Sequence, residues 1–494
     1  GDNSNTQALV AVGTDLTGDA WATSSQTGAL QVLFAPPPPW SEPDAFSAGE
    51  AYPGLPAVAT DSEGNVHVLW SEAGVRGEPG QALLYARRET PVEAVLGREP
   101  WTQPSRVLES PEGGTLEPAL IAVGEMLHAV WSGGQNGEVF YSRAFARDAY
   151  APSGWSQPTL LPAPAQIGSW PHITADAGGT LHVVYAIPLN EQRGIYHTRS
   201  DDGGETWSPS HQVFDAAAAE WVVADYPRLA LDEQGTVHAV WARSPLPGSG
   251  PPEGVYHARS DDSGETWSEP GQIGLGAYAW PQLAASRDGE MHVVWNEVAD
   301  PYSCWHTWSV NGGQTWTRPE RLLGFSDLSA PASLITDGTG ALYLLGLGQD
   351  NDGQPTLFLS TWDGERWFAQ DAPDLDLESL EPGVAASLAV AQGRLDVIFR
   401  GESETEEGAT QVQLWHTGWQ VGEVTLTPES AVEPQTTAIS PAPSTPGAMS
   451  SPVIEVEPLS AAGPTARPTA TPTAAPTAAS SPIPGFDATP PETS

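Results

Sequence analysis

Short runs in which apolar and polar positions alternate recur along most of the chain. One of them keeps returning: GNVHVLW from 64, EMLHAVW from 125, GTLHVVY from 179, GTVHAVW from 235 and GEMHVVW from 289. Weaker versions stand at 18 (GDAWATS), 340 (GALYLLG) and 393 (GRLDVIF), making eight copies spaced 46 to 61 residues apart. A period of two marks a half-buried strand rather than a helix. The copy at 235 shows a whole unit, with YPRLALD, TVHAVWA and GVYHARS as strands A, B and C and a short strand D near WSEPGQI. Small antiparallel sheets repeated at this interval bury both faces by stacking radially about an axis. The pattern therefore predicts an all-β propeller of four-stranded blades over residues 1–426. Eight units argue for eight blades. Seven blades, with residues 7–35 and 384–421 sharing a closing blade, and six blades are the alternatives.

Composition supports strands over helices: 51 Gly, 48 Pro and 20 Trp accompany only 3 Met, and Gly and Pro break helices whereas Trp suits pleated surfaces. It also separates off the end of the chain. Residues 427–494 are rich in Pro, Thr, Ser and Ala, a mixture that buries too little apolar surface to offset chain entropy, so a disordered tail or stalk is expected there.

All 19 basic residues are arginine, against 62 acidic ones, for a net charge of −43. Such a surface repels phosphate, which argues against nucleic acid and anionic lipid as partners. Loosely bound calcium is the only cofactor this acidity suggests, and no other is expected. With Cys304 as its single cysteine the chain forms no internal disulfide, so packing must supply its stability. No apolar run approaches the ~18 residues of a membrane span, and the polar start GDNSNTQ fits a mature chain whose signal has been removed. The expectation is a monomer, secreted or held at a cell surface through its tail, with no direct insertion in a membrane.

The phrase RSDDGGETWS at 199–208 returns as RSDDSGETWS at 259–268. It resembles the Asp-box, or bacterial neuraminidase repeat, S-x-D-x-G-x-T-W, through Ser200, Asp202, Gly204, Thr206 and Trp207, then Ser260, Asp262, Gly264, Thr266 and Trp267. A third copy has Ser309, Asn311, Gly313, Thr315 and Trp316, and a fourth keeps Ser360, Gly364 and Trp367. The resemblance implies a sialidase-like propeller. Between strands C and D a tight turn needs Gly for its unusual φ and an Asp or Ser side chain for its amides, while the Trp packs on the blade, so the motif reads as scaffold. His67, His128, His182, His238 and His292 share one repeat position, and radial symmetry spreads them too far apart for one ion, so packing and not metal is expected. Arg87, Arg143, Arg199 and Arg259 near the ends of C strands read as blade-building residues beside the acidic turns.

Chemistry is expected where the copies differ, in the D-to-A and B-to-C connections. These carry Trp170 and His172, then Glu220, Trp221, Asp225, Tyr226 and Arg228, then Tyr278 and Trp280, then Asn296, Glu297, Asp300 and Tyr302. Aromatic faces stack on sugar C–H groups and polar tips choose hydroxyls, which suits a glycan. The aromatic–proline pairs at 170, 226 and 280 equally suit residues packed at blade junctions. Sialidases of the resembled superfamily hold the substrate carboxylate with three arginines and use a tyrosine nucleophile activated by a glutamate, with an aspartate as acid and base. By that resemblance Asp225, Tyr226 or Tyr278, and Glu297 are the catalytic candidates, and Trp170, His172, Trp221, Arg228, Tyr278, Trp280, Asn296 and Tyr302 the ligand-binding ones. The family's early F/Y-R-I-P arginine motif is missing, and Arg228 is the one strand-A arginine. The leading reading is recognition of a glycan or a surface protein on the loop face; an active exo-sialidase or other exo-glycosidase is the alternative, and a structural surface spacer the third.

Overall fold

The computed structural model describes the backbone of residues 9–14, 20–24 and 31–34 and most of residues 40–421; loop segments such as 89–100 and 299–302, and all residues beyond 421, lie outside it. The expectation of a disordered tail thus falls outside the described residues.

Seven antiparallel sheets form a propeller ring, each running A-B-C-D from the axis outward. Strand A is Thr115–Val123 in blade 2, Ser169–Ala175 in blade 3, Val223–Leu231 in blade 4 and Tyr278–Ala285 in blade 5. Blade 1 opens on Ala57–Thr60 and blade 6 on Ser333–Thr336. The returning phrase is strand B of each blade, and its buried aromatic, Trp70, Trp131, Tyr185, Trp241 or Trp295, sits in the core. Among the described residues helix is confined to short 3-10 turns, such as Pro152–Gly154.

The ring has seven blades and not eight because the first copy of the phrase builds no blade. Its strand, Ala20–Ser24, belongs to a three-stranded sheet with Leu9–Thr14 and Gln31–Phe34. The two ends of the ring do join, but through a different segment from the expected 7–35. Blade 7 takes three strands from 379–420 and receives its fourth from Asp44–Ala45. His416 fastens this seam, with Nδ1 3.0 Å from Asp44 and Nε2 2.8 Å from the buried Asp396. Trp40 packs on Trp419 beside it.

Neighbouring blades are latched by the Asp-boxes. Within the turn, Asp202 accepts hydrogen bonds from the amide and hydroxyl of Thr206 (2.9 and 2.6 Å), which hold its carboxyl down to about 2. Ser200 Oγ accepts from the Gly204 amide at 2.8 Å. The box at 260–267 repeats these bonds, and Asn311 and Thr315 repeat most of them. The strand-C arginine of each preceding blade then donates to a backbone oxygen of the turn: Arg143 to Gly203 (2.6 Å), Arg199 to Ser263 (3.1 Å) and Arg259 to Gly312 (2.8 Å). Trp207 stacks edge-on against Tyr141, Trp267 against His197 and Trp316 against His257, each across a blade boundary.

The repeated strand-B histidines are buried and bond within their own blades. His67 and His128 reach Tyr85 and Tyr141 (2.7 and 2.8 Å), while His182, His238 and His292 pair with His197, His257 and His306 at 3.0–3.1 Å. Among the described residues no group of His, Cys, Asp and Glu is arranged to hold a metal ion.

Candidate functional site

Residues of the A strands of blades 1 to 6, and of the segments beside them, line a central cavity of about 910 Å³, Trp170, His172, Arg228, Trp280 and Gln282 among them together with Glu117. What aims these side chains is a break repeated in four successive blades. The strand-A register slips between Leu116 and Ala119, Ser169 and His172, Asp225 and Arg228, and Ala279 and Gln282. At each slip the residue before a proline takes a left-handed backbone: Glu117 (φ 52°), Trp170 (51°), Tyr226 (54°) and Trp280 (51°). An L-residue with a large side chain avoids this region, at a cost of about 1–3 kcal/mol each. The proline forbids the helical alternative for the residue before it and withholds an amide from the ladder, so the bulge forms where the proline stands.

The aromatic–proline pairs thus mark bulges, and those of blades 3 and 5 place Trp170 and Trp280 on the cavity wall. Tyr226 lies between the two cavity-lining tryptophans, its ring centroid 4.8 Å from that of Trp170 and 5.6 Å from that of Trp280. The three rings form an arc contributed by blades 3, 4 and 5.

Charged groups flank the arc. Glu117 accepts from the Trp170 amide (2.6 Å) and the Ser132 hydroxyl (3.0 Å), tying the bulges of blades 2 and 3 together, and burial raises its pKa. Asp225 accepts from the Tyr226 amide at 3.0 Å. Burial, reinforced by the charge on Glu117 and opposed by Arg228 and the Tyr226 amide, pushes its carboxyl up to about 7. Arg228 donates to the Pro227 carbonyl at 2.9 Å, and burial draws it down to about 10, so it stays cationic at neutral pH. His172 accepts from the Leu229 amide through Nδ1 (3.3 Å), and burial with Arg228 nearby lowers it to about 3. It is therefore neutral, with its proton on Nε2. The cavity wall thus carries one fixed cation, Arg228, the imidazole of His172 and the carboxyl of Glu117, with Asp225 coupled electrostatically to Glu117 and Arg228 behind it.

The other expected residues lie apart from this cavity. Trp221 is buried against Phe214 and Tyr256 (centroids 4.3 and 4.5 Å) with Arg243 over its ring. Asn296 is buried and accepts from the Ala332 amide at 3.0 Å. Tyr278 pairs with Glu297 across strands A and B, and burial then the Glu297 charge raise its pKa. Asp300 and Tyr302 fall outside the described residues. Glu117 escaped the sequence reading because its copy carries no aromatic; the proline after it in LEPAL was the available signal.

Among the described residues Arg228 is the only arginine lining the cavity. Arg193 donates to the carbonyls of Trp221 and Asn190, Arg243 pairs with Glu253 at 2.8 Å, and Arg400 donates to the Pro53 carbonyl.

The BNR repeat-like domain model matches residues 124–381, just over half of the chain. The chain belongs to the BNR repeat-like family. Among solved structures, a polysaccharide lyase PL25 ulvan lyase bound to -[GlcA(1-4)Rha3S]- is similar over 75% of this chain and 94% of its own, at 13% identity and a TM-score of 0.50. A protein of unknown function from Dyadobacter fermentans is similar over 77% and 100%, at 16% identity and a TM-score of 0.46. The NanB sialidase of Streptococcus pneumoniae is similar over 76% and 69%, at 14% identity and a TM-score of 0.41. At such identities what is shared is the sialidase-like BNR propeller fold, which hosts more than one chemistry. No curated protein sequence matches the chain.

Proposed function

We propose that this BNR propeller recognises an acidic glycan at the mouth of its central cavity. The observation that carries the reading is the arc of Trp170, Tyr226 and Trp280 beside Arg228, built from backbone held left-handed in successive blades. Strain kept at corresponding positions of neighbouring blades supports a ligand-binding role for these residues. Aromatic faces take the C–H surface of a sugar ring, and a guanidinium forks two hydrogen bonds to a carboxylate or sulfate that the net charge of −43 otherwise repels. The solved ulvan lyase in complex with a glucuronate-containing chain is a propeller of this fold that takes an acidic sugar. Secretion or display at a cell surface, with residues 427–494 as the tether, suits such a receptor.

The test is a glycan array of sialylated, uronate-containing, sulfated and neutral oligosaccharides, followed by titration of the best acidic binder. Arg228→Ala should weaken it by about 10-fold to 150-fold, the range for losing a charged hydrogen-bonding partner. Wild-type protein that binds no acidic glycan on the array overturns the reading.

Catalysis is the second reading, favoured by Asp225, whose carboxyl titrates near 7 next to Tyr226 and Arg228. A carboxyl partly protonated at neutral pH can act as both acid and base in an exo-glycosidase. Release of fluorophore from aryl sialosides and aryl uronides, abolished by Asp225→Asn, would establish it; no turnover by the wild type leaves recognition alone.

A further inference from the structure

The junction between blades 4 and 5 departs from the preceding one in its packing and its charge. At the junction of blades 3 and 4 the slot above Trp241 is full. Phe214, at the end of strand D, stacks on Trp241 at 5.4 Å, and Trp221 lies across Phe214 and Tyr256. Arg243 caps Trp221 from above, 5.0 Å from its ring, and Arg193 holds its carbonyl at 2.6 Å. Phe214 and Trp221 are thereby buried.

One blade on, strand registry aligns Trp295 with Trp241, Trp305 with Tyr256, Gly274 with Phe214 and Glu297 with Arg243. The phenylalanine is thus a glycine. The connection that supplied Trp221, residues 216–222, shrinks to 276–277. Tyr278 takes part of the space, its ring 5.7 Å from Trp295 and 5.5 Å from Trp305, and both Tyr278 and Trp305 keep part of their surface in solvent. Leu275 beside them is 78% exposed. The capping cation is replaced by a carboxylate: Glu297 Oε2 accepts from Trp305 Nε1 (3.2 Å) and Ser303 Oγ (3.1 Å), which fixes the group at the edge of the aromatic pair with Oε1 turned to no hydrogen bond among the described residues.

We infer that the blade 4–5 junction binds a neutral pyranose, its C–H face on Trp305 and Tyr278 and a pair of its hydroxyls donating to Glu297. A carboxylate accepts only, so the ligand must donate, and the carboxylate together with the net charge excludes an anionic sugar here. Partly exposed aromatics with one oriented acceptor suit a sugar, which carries an apolar face and a polar rim on one small ring. The site shares no residue with the cavity mouth and does not rest on the reading given for it, so either stands if the other fails.

The test uses the full chain and three probes, the methyl pyranosides of glucose, galactose and mannose, followed by saturation-transfer NMR on the sugar C–H protons and by tryptophan fluorescence. Saturable binding of at least one, in the millimolar range, is expected. Glu297→Gln, which keeps the shape, should weaken it about tenfold, and Trp305→Phe, which keeps a ring but not the N–H that orients Glu297, by several-fold. Glu297→Arg, which restores the residue type of the closed junction, should abolish it. No saturable binding of any probe up to about 50 mM, or unchanged affinity in both Glu297→Gln and Trp305→Phe, overturns the inference.

Discussion

Replacing Asp225 by Asn should make the protein more stable at pH 8 and no more stable near pH 3.5. The Asp225 carboxyl ionises near 7 in the folded chain and near its ordinary 3.8 when unfolded. Between those values the folded state holds a proton that the unfolded state has released, so stability contributed by this group falls as pH rises from 3.8 and is lowest above 7. At 1.36 kcal/mol per pH unit, the interval is worth about 4 kcal/mol as a ceiling, and water reaching the cavity mouth reduces it to about 2 kcal/mol. The amide side chain keeps the acceptor for the Tyr226 amide, which Asp225 now receives at 3.0 Å, and carries no charge to desolvate. Urea unfolding of both proteins at pH 3.5, 5.5 and 8 gives the difference directly: near zero, intermediate and largest in that order. A variant less stable at pH 8, or a difference that does not change with pH, refutes the argument and removes the grounds for Asp225 as an acid and base.

Trp267→Ala should cost about 3 kcal/mol, because a largely buried indole of about 150–250 Å² is worth roughly 4–6 kcal/mol if fully covered and Trp267 keeps part of its surface in solvent; the urea midpoint should drop while glycan affinity per folded molecule stays the same, and loss of binding at intact stability would contradict a scaffold role. Burial lowers His182 to about 4 and His197 and His292 to about 3, so the unfolded chain takes up protons below 6.5 that the folded chain refuses, and stability should fall as pH drops from 6.5 toward 4. His197→Tyr copies the Tyr141 that bonds His128 in blade 2 and should lessen that fall relative to wild type; parallel pH profiles would argue against the histidine pairs as its source. Removing residues 1–46 takes away the strand that His416 and Leu414 hold, and the melting temperature should drop by several degrees; an unchanged melting curve would mean that the seam contributes nothing.

Much of the scaffold is a local matter and so was legible in the chain. Period-two alternation sets which side of a strand is buried, and the Asp-box turn closes on bonds between residues two and four apart, such as Ser200 with Gly204 and Asp202 with Thr206. The number of blades was not local. The phrase at 18 satisfies the strand pattern as well as its fellows do, but closing the ring depends on which segment lies beside residues 410–420, and Asp44–Ala45 does so across more than 360 residues. The site divides in the same way. Aromatic residues before prolines, and Arg228 as the lone strand-A arginine, stood out in the sequence, yet those pairs suited a packed junction as well as an exposed face. Only the folded ring, with φ near +50° at four corresponding positions, brought Glu117, Trp170 and Trp280 to the cavity wall. Glu117 could not be assigned to the site beforehand, since its effect on Asp225 spans blades 2 and 4 and rests on the burial that the assembled ring creates. Trp221 shows the converse: its neighbours in sequence are those of a binding loop, and the tertiary structure buries it against Phe214 and Tyr256 because the blade junction has an aromatic-sized slot there. Alternation, turns and caps act over a few residues and can be read in order, whereas desolvation and charge coupling depend on what the ring brings together.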